Sequence, residues 1–391
     1  MLSRRLLRIK VVKALFAHLK SGADNMIASE KTLMASVDKA YDLYFQILTL
    51  PVEIARYAQQ RQELAKQKKL PTFEDLNPNT KFVENGVIRI IANSDAVNDH
   101  TAARKLGWTR YPELIRTLYG QLTESDYYKE YMQREERSFD DDRRLVEDFF
   151  KELQSCEALD DALEEMSILW NDDLPYIVMM ILRTLSNLRP SHTDLKVPPK
   201  FKSAEDPEFV KTLFEKTLVN YDSYQDYIER YTSNWDVERI VFMDNLILAT
   251  AMAELISFPS IPVKVTLDEW IEISKYYSTP GSSTFINGVL DKIVESLTAE
   301  GRIRKAGRGL ICPPPPCAAP PRFCLRPPCS ARAAAPLPVR RPVRTGPKRS
   351  GPGNGKAGSS PFRTCFSNGA GRTPSASAAS GRAKRPSCAS G

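Results

Sequence analysis

The chain has 391 residues, enough for more than one structural unit, and its formal charge of +7 conceals a division. Residues 301–391 hold 18 of the 55 Lys and Arg and no acidic residue, so the first 300 set 37 basic against 48 acidic side chains, a formal −11. An acidic body excludes a general basic surface and confines any nucleic-acid site to a local patch.

Cysteine usage and hydropathy exclude further classes. Only Cys156 precedes the last stretch, which suits a reducing cytosol and gives no disulfide framework. No apolar run reaches membrane-spanning length. Lys10 and Lys13 interrupt what would be the apolar core of a signal peptide. The expected location is cytoplasmic.

Residues 3–20 read as a first helix with Leu7, Val11, Leu15 and Leu19 as its core stripe, and Arg4, Arg5 and Arg8 within one arc of the opposite side. Six basic residues precede the first acidic one, Asp24. Positive charge at a helix N-terminus opposes the macrodipole, by roughly 0.3–1 kcal/mol per exposed charge, so these arginines are candidates to meet an anion. Residues 29–67 form a second helical region with Leu33, Val37, Tyr41, Tyr44 and Leu48 on one face and an interruption at Pro51. Residues 81–231 supply further helical pattern, and no period-2 segment of any length occurs. The tyrosines there, Tyr127, Tyr128, Tyr131, Tyr221, Tyr224, Tyr227 and Tyr231, read as packing between helices and not as a base-stacking surface.

From Trp235 to Gly301 the pattern sharpens. Val237, Ile240, Val241, Met243, Leu246, Ile247 and Leu248, running on to Glu254-Leu255-Ile256, are apolar nearly all round, as in a central helix packed on several sides. Pro259 and Pro262 end it. Thr266 and Glu269 have the spacing of a capping box, with Val265 and Trp270 placed as a hydrophobic staple. After the loop Ser278–Ser283, a third helix carries Phe285, Ile286, Val289, Leu290, Ile293 and Leu297 on its apolar face, and Gly301 stands at its C′ position.

The tail from about Lys305 is Pro, Ala, Arg, Ser and Gly with almost no large aliphatic residues, so it is expected to be disordered and to leave thermal stability unchanged when removed after Arg304. Its residue types, from GC-rich codons where the body favours Ile, Lys, Asn and Tyr, point to a frameshifted reading frame. Cys312/Cys317 and Cys324/Cys329 do not read as zinc ligands, since Pro313–Pro316 make a stiff spacer in the first pair. Nothing looks catalytic. His18, His100 and His192 are scattered, Asp160, Asp161, Glu164 and Glu165 read as a solvated face, and no phosphate loop or nucleophile elbow is present. Neither an enzyme activity, a cofactor nor a metal is expected.

The segments "WDVERIVFMDNLILATAMAEL", "PVKVTLDEWIEISKYYS" and "STFINGVLDKIVESL" resemble the C-terminal half of the NusB family of transcription antitermination factors, and "SRRLLRIKVVKALF" resembles its arginine-rich first helix. The resemblance implies an all-α, NusB-like helical bundle. Residues 1–80 would be its N-terminal helices, 81–230 an inserted helical region, 231–304 its C-terminal helices, and 305–391 the tail. It also implies recognition of single-stranded boxA-type leader RNA with the ribosomal protein NusE, acting on the RNA polymerase elongation complex. Arg4, Arg5 and Arg8 match basic family positions, with Leu6 departing. Ser282, Ser283, Thr284 and Phe285 would complete the RNA site, although many relatives carry a basic residue at Thr284. The rival expectation is a helical protein-interaction scaffold that has lost RNA binding.

Overall fold

A computed structural model describes residues 2–232 and 241–310. They belong to the first of two compact units, Met1–Pro314; the second, Pro315–Gly391, falls outside the described residues, as does the expectation of a disordered tail. Trp235, Val237 and Ile240 of the expected central run also lie outside them.

Every regular element among the described residues is helical. The order begins α1 (Arg4–Ser21), α2 (Met26–Leu48), α3 (Leu50–Lys66), α4 (Phe73–Leu76), α5 (Gly86–Asn93), α6 (Asp95–Arg104), α7 (Pro112–Glu124) and α8 (Asp126–Gln133). It continues with α9 (Phe139–Glu152), α10 (Glu157–Met166), α11 (Leu174–Ser186), α12 (Asp206–Val219), α13 (Tyr221–Thr232), α14 (Phe242–Ser257), α15 (Val263–Tyr277) and α16 (Ser282–Ala299).

The long apolar run forms α14, where every residue from Leu246 to Leu255 is withdrawn from water and the end residues Phe242 and Ser257 are half-buried. A helix apolar all round must be enclosed, and α14 touches α1, α12, α13, α15 and α16. α1 lies in the seam between α2, α12, α14 and α15. Its start is fixed by Ser3, whose hydroxyl accepts the Leu6 N–H at 3.2 Å, and its end by Gly22 in the left-handed region at φ 62°. Away from this cluster α2 packs on α11, α9 joins α11 to α5, and α3 rests on α5 and α7. α12 and α13 fall inside the stretch expected to be an insertion, yet they pack directly on α14, and α13 also meets α16.

Interhelical packing accounts for the tyrosines. Tyr128, Tyr131, Tyr224 and Tyr227 are buried, Tyr127, Tyr221 and Tyr231 half-buried, and the Tyr131 hydroxyl donates to Asp142 at 2.6 Å. The capping box does not form. α15 starts at Val263, and Thr266 sits in its first turns, with the hydroxyl donating at 2.9 Å to Glu254. A buried carboxylate on α14 takes the hydroxyl that the local motif would have used. The staple fails with it, since Val265 is exposed while Trp270 is buried. At the far end Gly301 has φ 67°, the Arg302 N–H reaches Leu297 O at 2.9 Å and the Gly301 N–H reaches Thr298 O at 3.0 Å, the two bonds of a Schellman ending.

The chain does not leave the body at residue 305. The Lys305 ammonium donates to Leu255 O at 2.9 Å and to Phe258 O at 3.0 Å, capping the carbonyl end of α14, and the Ala306 N–H binds Pro259 O at 3.0 Å. Burial pushes the Lys305 pKa down to about 8, which leaves it charged at neutral pH. Truncation after Arg304 is therefore expected to lower the melting temperature by several degrees, at ~2–4 °C per kcal/mol for a body of this size. Truncation after Leu310 is expected to leave it unchanged. Calorimetry on the two chains checks both; equal melting would show that Lys305 contributes nothing.

Candidate nucleic-acid interface

The anions that meet the basic face of α1 are the protein's own carboxylates. Arg4 Nε donates to Asp206 Oδ1 at 2.9 Å and Arg4 also approaches Glu205 at 3.7 Å. Arg5 grips Glu269 with Nε at 2.8 Å and Nη2 at 3.1 Å. Lys10 lies 2.5 Å from Asp173, and Lys13 lies 2.9 Å from Asp172. Burial raises the Asp173 pKa and lowers that of Lys10. A helix start that opposes its own dipole is compensated here by tertiary partners.

Arg8 is, with Lys10, the most enclosed of the series, each side chain 3% exposed. Nε and Nη2 each sit 2.7 Å from an oxygen of Glu254, which is 0% exposed, and Nη1 lies 3.7 Å from Glu269. Glu254 also accepts from Thr266 at 2.9 Å and from the Trp270 indole N–H at 3.2 Å. Four donors thus converge on one carboxylate, leaving no lone-pair direction empty. Burial pulls the Arg8 pKa down, but Glu254 and then Glu269 outweigh it and hold the guanidinium above its ordinary value. The arc opposite the leucine stripe is therefore not a solvent face at Arg8. α12, α14 and α15 close over it, and Phe209 lies under both Arg4 and Arg8, 5.2 and 5.4 Å from ring centre to guanidinium carbon.

The turn 278–281 and the first residues of α16 are held from α14; the loop expected to run to Ser283 ends at Gly281, and Ser282 opens the helix. Asp244, 3% exposed, accepts from the Ser278 hydroxyl and from the Ser282 hydroxyl at 2.9 Å, and Ser282 pairs with Thr279 at 2.8 Å. Gly281 turns the chain at φ 95°, a conformation that favours glycine. Ser282 consequently faces inward, Ser283 is half-buried, Thr284 is exposed, and Phe285 is half-buried against the core.

α1 and α15 run in the same direction: Arg5 meets Glu269, and eight residues further on Lys13 meets the ring of Tyr277, 5.6 Å from its centre. Eight helical residues span about 12 Å, so Arg4 and Arg5 stand at one end of α1 and the loop that follows Tyr277 at the other. The basic residue at the loop end is Lys20, 4.0 Å above the Phe242 ring. The sequence reading missed Glu254, Glu269 and Asp206 as partners of the arginines. The available signal was Glu254 itself, a carboxylate inside the apolar run 246–255, which needs a cation beside it to be buried.

Removing one member of such a pair leaves an uncompensated buried charge. Arg8→Met is expected to lower the unfolding free energy by about 3–5 kcal/mol. Arg8→Lys should recover less than half of that, because an ammonium cannot present two parallel donors. Denaturant titration of the three proteins checks this; full recovery by lysine would show that charge alone matters.

Comparisons with known proteins bear on the same elements. The NusB family model matches residues 192–295, a segment that begins before α12 and so takes in α12 and α13. The transcription antitermination protein NusB of Salinibacter ruber is 46% identical over 110 residues, covering 27% of this chain and 69% of that protein. Its counterpart from Chloroherpeton thalassium is 33% identical over 104 residues, covering 27% of this chain and 49% of the relative. That of Natranaerobius thermophilus is 33% identical over 90 residues, covering 23% and 65%. No solved structure matches the chain significantly. The match to the first of these relatives covers more than two thirds of its length, and the chain belongs to the NusB family, a family of antitermination factors and not of enzymes.

Proposed function

We propose that the protein is a transcription antitermination factor that binds single-stranded boxA-type RNA together with NusE and acts through them on the elongating RNA polymerase. The observation that carries this reading is the start of α1: in an acidic body of a NusB-family chain, Arg4 and Arg5 are 32% and 37% exposed. Each guanidinium uses part of its five-donor fork on a carboxylate and retains N–H groups for a phosphate. Arg8 serves the site from beneath by fixing α1 against α14 and α15, and Ser282 does the same for the start of α16 through Asp244. Ser283, Thr284 and Phe285 offer hydroxyl contacts and an aromatic edge for an unpaired base.

A protein-interaction scaffold is the second reading, favoured by the carboxylate partner that each of the first five basic residues of α1 already has. One salt titration of binding to boxA-type RNA, with and without NusE, separates the two. For the RNA reading, Arg4→Gln with Arg5→Gln should weaken binding and reduce the slope of log affinity against log salt by about 1.4, near 0.7 per phosphate contact on a single strand. An unchanged slope removes both residues from the site.

Phe285 supplies an independent check. Phe285→Ala is expected to reduce RNA binding by roughly 1–3 kcal/mol, the worth of one stacked base, while the half-buried ring lowers the melting temperature by only a few degrees. Preserved affinity alongside a large loss of stability would make it a core residue alone.

A further inference from the structure

Outside α1, the segment that leads into α12 is another local reversal of the body's charge. Between α11 and α12, residues 189–202 carry Arg189, Lys196, Lys200 and Lys202 against Asp194, a formal +3, and are followed by Glu205 and Asp206, both of which Arg4 meets. It is irregular in secondary structure but tied down at several points. Pro198 and Pro199 restrict its backbone, and the Tyr41 hydroxyl donates to Pro198 O at 2.8 Å. The Leu2 N–H donates to Lys200 O at 2.8 Å. The Lys202 and Ser203 N–H groups donate to Asp206 Oδ2 at 3.0 and 2.9 Å. The other oxygen of that carboxylate takes Arg4. Asp206 therefore fixes the end of this segment directly beside the start of α1.

Along the segment Lys200 is engaged, 2.5 Å from Asp38 and 4.9 Å from the centre of the Phe201 ring. Lys196 and Lys202 are exposed, and neither has an ion pair among the described residues. Phe201 is half-buried between Lys200 and Lys202. Cations flanking an aromatic ring on a held, irregular backbone match the needs of a single nucleic-acid strand, phosphates to the ammonium groups and a base against the ring. A partner recognised through acidic side chains would find the cations but no use for the ring.

We propose that residues 196–202 form a second contact for single-stranded RNA, continuous with Arg4 and Arg5, in which Lys196 and Lys202 bind backbone phosphates and Phe201 meets a base. This rests on the RNA-binding reading above. The test is a salt titration by fluorescence anisotropy on the full chain, using a boxA-type single-stranded RNA with flanking nucleotides. Lys196→Gln with Lys202→Gln is expected to bind about tenfold more weakly near 0.1 M salt and to lose about 1.4 from the salt slope, with an unchanged melting temperature. Lys196→Arg with Lys202→Arg should bind as the parent does. If the arginine-start variant Arg4→Gln/Arg5→Gln weakens binding while the lysine variant matches the parent, the second contact is overturned and the RNA reading stands. If the parent shows no salt-dependent RNA binding, the reading falls and this contact with it.

Discussion

The buried pair of Arg8 and Glu254 sets the position of the whole first helix. The apolar stripe of α1, Leu7, Val11 and Leu15, repeats at helical spacing, and a shift of one turn, about 5.4 Å, would still bring leucines and valines against α14. The same shift would leave Glu254 without its guanidinium in a place that water does not reach, at a cost of several kcal/mol. Hydrophobic burial holds α1 in the seam, and the ion pair selects one register within it. That register brings Arg4 to Asp206 and Arg5 to Glu269, so the exposed part of the candidate site is positioned by a contact no ligand touches.

This arrangement also explains how a basic helix fits an acidic body. Positive charges at the start of α1 are unfavourable for that helix alone, but α12, α15 and the turn before α11 each present a carboxylate to one of them. The charge is neutralised unevenly. Arg8 and Lys10 are sealed with their partners, whereas the guanidinium groups of Arg4 and Arg5 stay partly exposed. Exposure and not charge separates the residues that hold the fold from those able to meet a phosphate.

Much of the helical architecture was legible because its signals are local. The apolar run of α14 implied enclosure, the prolines after it implied an ending, and Gly301 implied a left-handed cap. What was not legible is what long-range acceptors decide. Thr266 and Glu269 have the spacing of a capping box, yet both are drawn away, Thr266 to Glu254 and Glu269 to Arg5, partners separated from them by 12 and 264 residues. The same holds for Arg8, placed on the outer arc of α1 by helical periodicity, which carries no information on how many neighbours will cover the helix. Lys305 was assigned to the tail by composition, and only the open carbonyls of α14 give it a place in the body.

The distribution of charge along α1 also constrains how a strand bound at Arg4 and Arg5 can continue. Toward the start of α16 it would follow the seam of α1 and α15, past Glu269, Glu272 and Asp172, the last two 35% and 59% exposed. There Lys13 is paired with Asp172 and Lys275 with Glu272, so a phosphate backbone meets no free cation among these residues. In the other direction it meets the segment that ends at Lys202, joined to Arg4 through a single carboxylate and carrying exposed lysines without acidic partners. The two directions therefore differ in the cations left free for a phosphate. Within a Debye length of about 8 Å at physiological salt, that difference favours the lysine segment as the continuation of the strand, with Phe285 beyond the stretch of paired charges.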